Sequence, residues 1–189
     1  MYKVKVISST VRPGRKGPVV ARWITEQANK HGFQAELLDL GEVNLPLMNE
    51  AVHPRLKQYE HEHSKKWSAK IEEAEAFIFV SAEYDFSYPA PLKNALEYLL
   101  HEWAYKAAGL VTYSGGPFAG VRSVFGLRTD LMSLKIPSLT ETVHIPTVDQ
   151  FINDEGVFTP SEQQLAAVKT MLTQLHRWTK GMKIIKEDK

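Results

Sequence analysis

The chain has 189 residues, with 23 Lys and Arg against 22 Asp and Glu, and it contains no cysteine. The length suits one domain with a sizeable core, expected over residues 1–189. A net charge of +1 gives no whole-molecule reason to expect nucleic acid or an anionic membrane as partner, and the missing thiols exclude disulfides, zinc–thiolate sites, iron–sulfur clusters and thiol nucleophiles.

No N-terminal stretch resembles a signal peptide, and no apolar run approaches the roughly 20 residues of a membrane span. The expected location is cytoplasmic.

Tyr2 to Ile7 alternates apolar residues with Lys3 and Lys5 and reads as a strand whose lysines reach solvent from its N-terminal end. A Gly/Pro/Arg loop, Thr10 to Pro18, precedes a helical stripe of Val19, Val20, Trp23, Ile24 and Ala28. Phe33 to Leu40 is a second strand and Gly41 to Asn49 a loop marked by Pro46. His53 to Ala74 is polar and reads as one helix, with Leu56, Tyr59, Trp67 and Ile71 as its buried contacts.

Ala76 to Ser81 is a third strand, and Leu92, Leu96, Leu99, Leu100 and Trp103 give the next helix a broad apolar face. Gly109 to Tyr113 is a fourth strand, Ser114 to Gly120 a glycine-rich loop, and Val121 to Leu134 a helix. Ser138 to Ile145 is a fifth strand. Thr159-Pro160-Ser161-Glu162 reads as a capping box that opens the last helix, and Lys183 to Lys189 as a frayed tail. Five alternations of strand and helix imply a parallel sheet with helices on both faces.

Ligands of such sheets sit beyond the C-terminal strand ends, so the loops after strands one, three and four should share a site. The first, Ser8 to Pro18, carries hydroxyls, two glycines and three cations before a helix N-terminus, where free N–H groups and the helix dipole favour an anion. Arg12 and Arg15 offer forks suited to phosphate. The loop lacks the glycine pattern of a dinucleotide site and the Lys-Ser/Thr ending of a nucleotide P-loop, so a monophosphate fits better. A solvated basic turn is the plainer alternative.

The loop after strand three presents Glu83, Tyr84, Asp85, Phe86, Ser87 and Tyr88 in succession. Its backbone can bond the edge of a planar heterocycle and its aromatics can cover a ring. The alternative is a helix-capping turn with Tyr84 and Tyr88 packed locally. Ser114, Gly115 and Gly116 allow close approach of backbone to a ligand, although glycine pairs also make ordinary turns. Together the three loops describe a site for FMN.

These motifs resemble the NADPH-dependent FMN reductase family of flavodoxin-like proteins, which includes azoreductases, quinone reductases and chromate reductases. The matching stretches are Ser9-Thr10-Val11-Arg12-Pro13-Gly14-Arg15, Ala82-Glu83-Tyr84-Asp85, Tyr88-Pro89 and Leu92-Lys93-Asn94-Ala95. Tyr113-Ser114-Gly115-Gly116, Gly120-Val121-Arg122 and Leu127-Arg128 follow in the family order. Ser9, Ala82 and Asp85 depart from its glycine, proline and asparagine.

The resemblance implies a three-layer α/β sandwich with strand order 2-1-3-4-5. It also implies a homodimer, with a tetramer as the alternative, and FMN at the interface. NADPH or NADH would reduce the flavin in a ping-pong cycle that ends on a small-molecule acceptor such as a quinone or azo compound. Thr10, Arg12, Arg15, Gly17, Pro18 and Val19 would hold the phosphate; Ala82, Glu83, Tyr84, Asp85 and Phe86 the isoalloxazine; and Ser114, Gly115 and Gly116 its pyrimidine side. The helix after Pro91 would be the dimer surface, with Glu83 and Arg128 each suited to a buried ion pair across the dimer; the alternative is that each is simply exposed. Asp85 would disfavour an anionic reduced flavin by like-charge repulsion.

Rival readings are a flavodoxin-type electron carrier, which is typically strongly acidic, and a redox sensor or scaffold acting through a protein partner. A low-molecular-weight phosphatase needs a first-loop cysteine, and a phospho-receiver domain needs acids where Ser8-Ser9-Thr10 stand. His53, His61 and His63 lack a metal-ligand pattern and read as a solvated face. Asp39 reads as a loop residue.

Overall fold

The computed structural model describes residues 1–188. Five strands form one all-parallel sheet in the order β2-β1-β3-β4-β5: β1 Lys3–Ser8, β2 Gln34–Asp39, β3 Ala76–Ala82, β4 Ala107–Tyr113 and β5 Val143–Ile145. Six helices accompany it: α1 Gly17–Lys30, α2 Leu40–Val43, α3 Glu62–Glu72, α4 Ala90–Glu97, α5 Ser123–Ser133 and α6 Glu162–Glu187.

β3 and β4 are buried at every position, which is why their sequences run apolar without alternation, as interior parallel strands do. Successive residues feed two cores. Val4, Val6, Ile78 and Val80 pack with Ile24 of α1 and Met171 and Leu172 of α6. Ile7, Phe77 and Phe79 face Trp67 of α3, Leu92 of α4 and Leu127 of α5. This places all five C-terminal strand ends, and the loops leaving them, along one edge. No described helix is long and apolar enough to cross a membrane.

Several sequence expectations are corrected. Lys5 does not reach solvent: it is 3% exposed, with Nζ paired to Glu36 and, at 2.7 Å, to Glu73. Residues 53–74 do not form one helix. Pro54–Leu56 is a 3-10 turn that ends at Lys57, whose φ of 51° cannot continue a helix, and α3 starts only at Glu62, so Leu56 stays exposed. Of the expected strand Ser138 to Ile145 only Val143–Ile145 is strand; Ser138 makes an isolated bridge to Ala108.

The capping box of α6 is Ser161 with Gln164, two residues later than expected. Thr159 is occupied elsewhere, its N–H and hydroxyl both donating to the Phe151 carbonyl. The expected frayed tail is helical through Glu187, and Lys183 pairs with Glu75; Lys189 lies outside the described residues. Asp39 caps α2, its carboxylate accepting the Gly41 N–H at 3.0 Å.

Candidate functional site

The loops leaving β1, β3, β4 and β5 meet in a trough made of two adjoining hollows. One, of about 310 Å³, is bordered by Arg12 to Lys16, Ala82 to Tyr84, Tyr113 to Gly115, and Val148 and Asp149. The other, of about 460 Å³, is bordered by Asp85, Phe86, Gly116, Phe118 and Arg122. Glu83 and Ser114 border both.

The β1 loop is set from below. Thr10 is buried, and its hydroxyl lies 3.3 Å from the Tyr113 hydroxyl. Burial pushes the Tyr113 phenol above its ordinary range, although the Thr10 bond opposes the shift. α1 begins directly over these groups. A Cβ on Gly17 would come within 2.8 Å of the Tyr113 oxygen and 2.9 Å of Ser8 Oγ, so only glycine lets the helix N-terminus sit this low. Ser8 Oγ is buried and has no hydrogen-bond partner among the described residues.

Arg15 folds back onto the end of β2, with Nη2 donating to Asp39 at 2.8 Å. Lys16 spans the trough to Asp149 at 3.2 Å. Arg12 makes no ion pair among the described residues. The rim is therefore positive, but two of its three cations already face carboxylates.

The β3 loop closes as a tight turn. The Tyr84 N–H donates to the Ser87 carbonyl at 2.8 Å and the Ser87 N–H to the Tyr84 carbonyl at 2.9 Å. Asp85 and Phe86, at its centre, have φ of 49° and 65°. Both lie in the left-handed region that β-hairpin turns of the primed type demand and that phenylalanine adopts at a cost. Tyr88 takes the plainer role: it packs into the core and bonds Asp130. Tyr84 is half-exposed and lines the trough.

Glu83 is tied to Arg122. Its carboxylate accepts the Arg122 backbone N–H at 3.1 Å and Nε at 2.6 Å. The guanidinium lies 4.0 Å from the Phe86 ring centroid and 4.9 Å from that of Phe118, a cation–π stack at the mouth of the trough. The β4 loop turns at Gly120, where φ is 73° and a Cβ would meet the Tyr113 carbonyl at 2.8 Å.

Of the residues singled out in the sequence, Arg12, Arg15, Ala82, Glu83, Tyr84, Asp85, Phe86, Ser114, Gly115 and Gly116 border the trough. Thr10 and Gly17 support it from beneath, and Pro18 and Val19 lie within the first turn of α1. Lys16, Tyr113, Phe118 and Arg122, which the sequence placed in these loops without a site role, also border the trough, as do two residues it did not flag, Val148 and Asp149. The last two follow β5, whose C-terminal end lies on the same edge, so the strand-end rule applied to a fourth strand would have reached them.

Two further expectations fail on geometry. Neither Glu83 nor Arg128 needs a second chain for a partner: Glu83 has Arg122, and Arg128 Nη2 donates to the Leu139 carbonyl at 2.7 Å and to Thr142 at 3.1 Å. The apolar face of α4, with Leu92, Ala95 and Leu96, is buried within the chain and is not a free surface. No cluster of three or more potential metal ligands occurs among the described residues.

Residues 2–150 match the family model for NADPH-dependent FMN reductases. The chain is 39% identical over 116 residues to an NAD(P)H-dependent FMN reductase of Schizosaccharomyces pombe, a match covering 60% of this chain and 58% of that protein. It is 39% identical over 124 residues to an NAD(P)H:quinone oxidoreductase of Solanum tuberosum, covering 59% and 61%. The chain thus spans about three fifths of the length of the curated relatives it matches. Its fold superposes with a TM-score of 0.78 on the flavoenzyme NAD(P)H:(acceptor) oxidoreductase FerB from Paracoccus denitrificans, at 18% identity over 96% of this chain and 99% of that one.

Proposed function

The chain belongs to the NADPH-dependent FMN reductase family, and on that premise we propose that it is an FMN-dependent NAD(P)H oxidoreductase serving quinones, azo compounds or similar small acceptors. The observation that carries this reading is the continuity of the trough: a cationic cradle at the N-terminus of α1 runs into a wall of Glu83, Tyr84, Ser114 and Gly115. A phosphate-bearing planar ligand has these two needs in this order. The residues fit the group. The cradle is kept open by a glycine that no other residue could replace without a clash, and the buried, unpartnered Ser8 hydroxyl beneath it keeps a hydrogen bond unspent.

When bound, FMN would supply the redox chemistry, for which the chain needs no nucleophile of its own. The chain's own part is placement. Arg12, Lys16 and the Gly17 N–H would hold the phosphate, since Pro18 has no N–H and those of Val19 and Val20 already donate to the Lys16 carbonyl. Arg15 acts through Asp39, fixing the cradle to the end of β2, and Thr10 fixes it to Tyr113. Glu83 and Arg122 lock the β3 loop to the β4 loop, so that backbone around Tyr84 and Gly115 stands ready at the ring edge. Phe86 and Phe118 guard the face from which an acceptor arrives.

The reading takes residues 1–189 as one FMN-binding domain and extends to a cytoplasmic homodimer. Exposed Phe86 and Phe118, which border one hollow, and Val11 and Leu47, which border another, support the dimer, because exposed apolar side chains beside one another call for cover.

The purified protein should bind FMN, turn yellow and oxidise NADPH with a quinone as second substrate, with parallel double-reciprocal lines. A protein that gains no flavin absorbance when mixed with FMN overturns the reading. A flavin that stays oxidised after stopped-flow mixing with NADPH and NADH would make it an electron carrier instead.

A further inference from the structure

At the far end of the sheet from the trough, a groove of about 570 Å³ opens between the C-terminal ends of α5 and α6. Its size falls within the roughly 300–1,000 Å³ of small-molecule sites. Met132, Ile136, Pro137, Met182 and Ile185 form its walls. Met132 is 74% and Ile185 47% exposed, so the groove offers water an apolar lining that nothing among the described residues covers. Two of the five side chains are methionines, whose flexible thioethers reshape to fit different chains.

The rim is positive. Arg128 and Lys135 border the groove, and no carboxylate does. Lys186 borders an adjoining hollow that shares Tyr105 and Lys135 with it. None of these three cations makes an ion pair among the described residues, although Arg128 Nη2 donates to the Leu139 carbonyl and Thr142, Lys135 Nζ lies 5.5 Å from the Tyr105 ring centroid, and Arg128 Nε is buried without an acceptor among the described residues. Neighbouring Lys106 senses the same excess: burial first, and then the charge of Lys186, pull its ammonium down to about 8. An apolar trench with unneutralised cations at its rim is the complement of an amphipathic anion. A second copy of the chain fits less well, because a two-fold contact centred here would set Lys135 against Lys135.

We propose that this groove binds a free single-chain carboxylate, its alkyl tail along Met132, Met182 and Ile185 and its carboxylate at Lys135 and Arg128. The proposal is independent of the flavin reading, since the groove shares no residue with the trough.

The test is calorimetric titration of the full chain, saturated with FMN, with decanoate below its micelle-forming concentration. Saturable one-to-one binding is expected, weaker at high salt. Ile185→Glu should weaken it about tenfold by placing a charge against the tail. Lys135→Asn should weaken it about threefold and blunt the salt dependence. Asparagine suits this position, where φ is 59°. NADPH:quinone turnover should be unchanged in both variants. If Ile185→Glu lowers the melting temperature, the Lys135→Asn titration decides alone. The proposal is overturned by no saturable heat, or by equal affinity in wild type and Lys135→Asn. Binding confined to anionic vesicles would make the surface a membrane contact, and an oligomer that dissociates in Ile185→Glu without any decanoate binding would make it a self-interface; either outcome also overturns it.

Discussion

One carboxylate, that of Glu83, accepts both the backbone N–H and the Nε of Arg122, 39 residues away in sequence. Through this pair the β3 and β4 loops behave as one wall. Glu83 is nearly buried, with 7% of its side chain exposed, whereas Arg122 is 40% exposed, so solvent screens part of the attraction. Glu83→Gln should lower stability by only about 1 kcal/mol. FMN affinity should fall further, by about tenfold, because two loops must then be ordered on binding. Quenching of FMN fluorescence reads the affinity and urea denaturation the stability; equal FMN affinity in the variant would mean the loops are held by other contacts.

The turn from Tyr84 to Ser87 stores its cost at Phe86. Left-handed backbone disfavours side chains by roughly 1–2 kcal/mol per residue, with glycine and, less often, asparagine and aspartate the exceptions. Asp85→Asn keeps a residue that tolerates this conformation and removes a charge beside the proposed flavin ring. Stability should stay within a few tenths of a kcal/mol, while the flavin midpoint potential rises by tens of millivolts as the repulsion of an anionic reduced flavin disappears. Dye-equilibrated reduction measures the potential, and an unshifted value would show that the Asp85 carboxylate is fully screened by water.

Lys16 and Asp149 oppose each other across the cradle at 3.2 Å, with side chains 44% and 62% exposed. A pair this exposed adds little to the fold. Its effect falls on the ligand, because Asp149 competes with a phosphate for Lys16. Asp149→Asn should therefore tighten FMN by about threefold and leave the melting temperature unmoved. Lys16→Gln should do the reverse. FMN titrations at low and high salt separate the two, since the gain in Asp149→Asn must shrink as salt rises; a gain that ignores salt would point to a change in loop shape instead.

What the sequence makes legible follows from where each interaction is encoded. β3 and β4 announce themselves because strands buried on both faces need apolar residues throughout. Lys5 is opaque: its partners Glu36 and Glu73 lie 31 and 68 residues away, and local hydropathy assigns a buried lysine to solvent. At α6 the local pattern puts the cap at Thr159, but the Phe151 carbonyl, eight residues away, claims Thr159 and the cap is Ser161. The same division runs through the site. Arg12, Glu83 and Ser114 are readable because their loops leave strand ends. Asp149 is within reach of the same rule, since it follows β5, whereas the pairings that give Asp149 and Arg122 their roles, to Lys16 and Glu83, run across loops and leave no local signature.

Lys106 gives the fold a pH dependence that can be isolated. It is 2% exposed, and its ammonium donates to the carbonyls of Ile71 at 2.8 Å and Glu72 at 3.1 Å, where α3 ends. Burial pulls its pKa from 10.5 down to about 8. Between these two values the unfolded chain holds a proton that the folded chain has released, so stability rises with pH across that window and the cost of burying the charge is fully felt below it. A shift of this size corresponds to about 3 kcal/mol. Lys106→Met removes that cost but also the two helix-end hydrogen bonds, which contribute about 1 kcal/mol each. The variant should accordingly be more stable than wild type near neutral pH by about 1 kcal/mol, and it should lose this advantage as the wild type gains toward pH 10. Urea denaturation of both proteins across the window measures the difference, which cancels the tyrosines common to both. A difference that stays constant with pH would show that Lys106 keeps its proton in the fold as readily as in the unfolded chain.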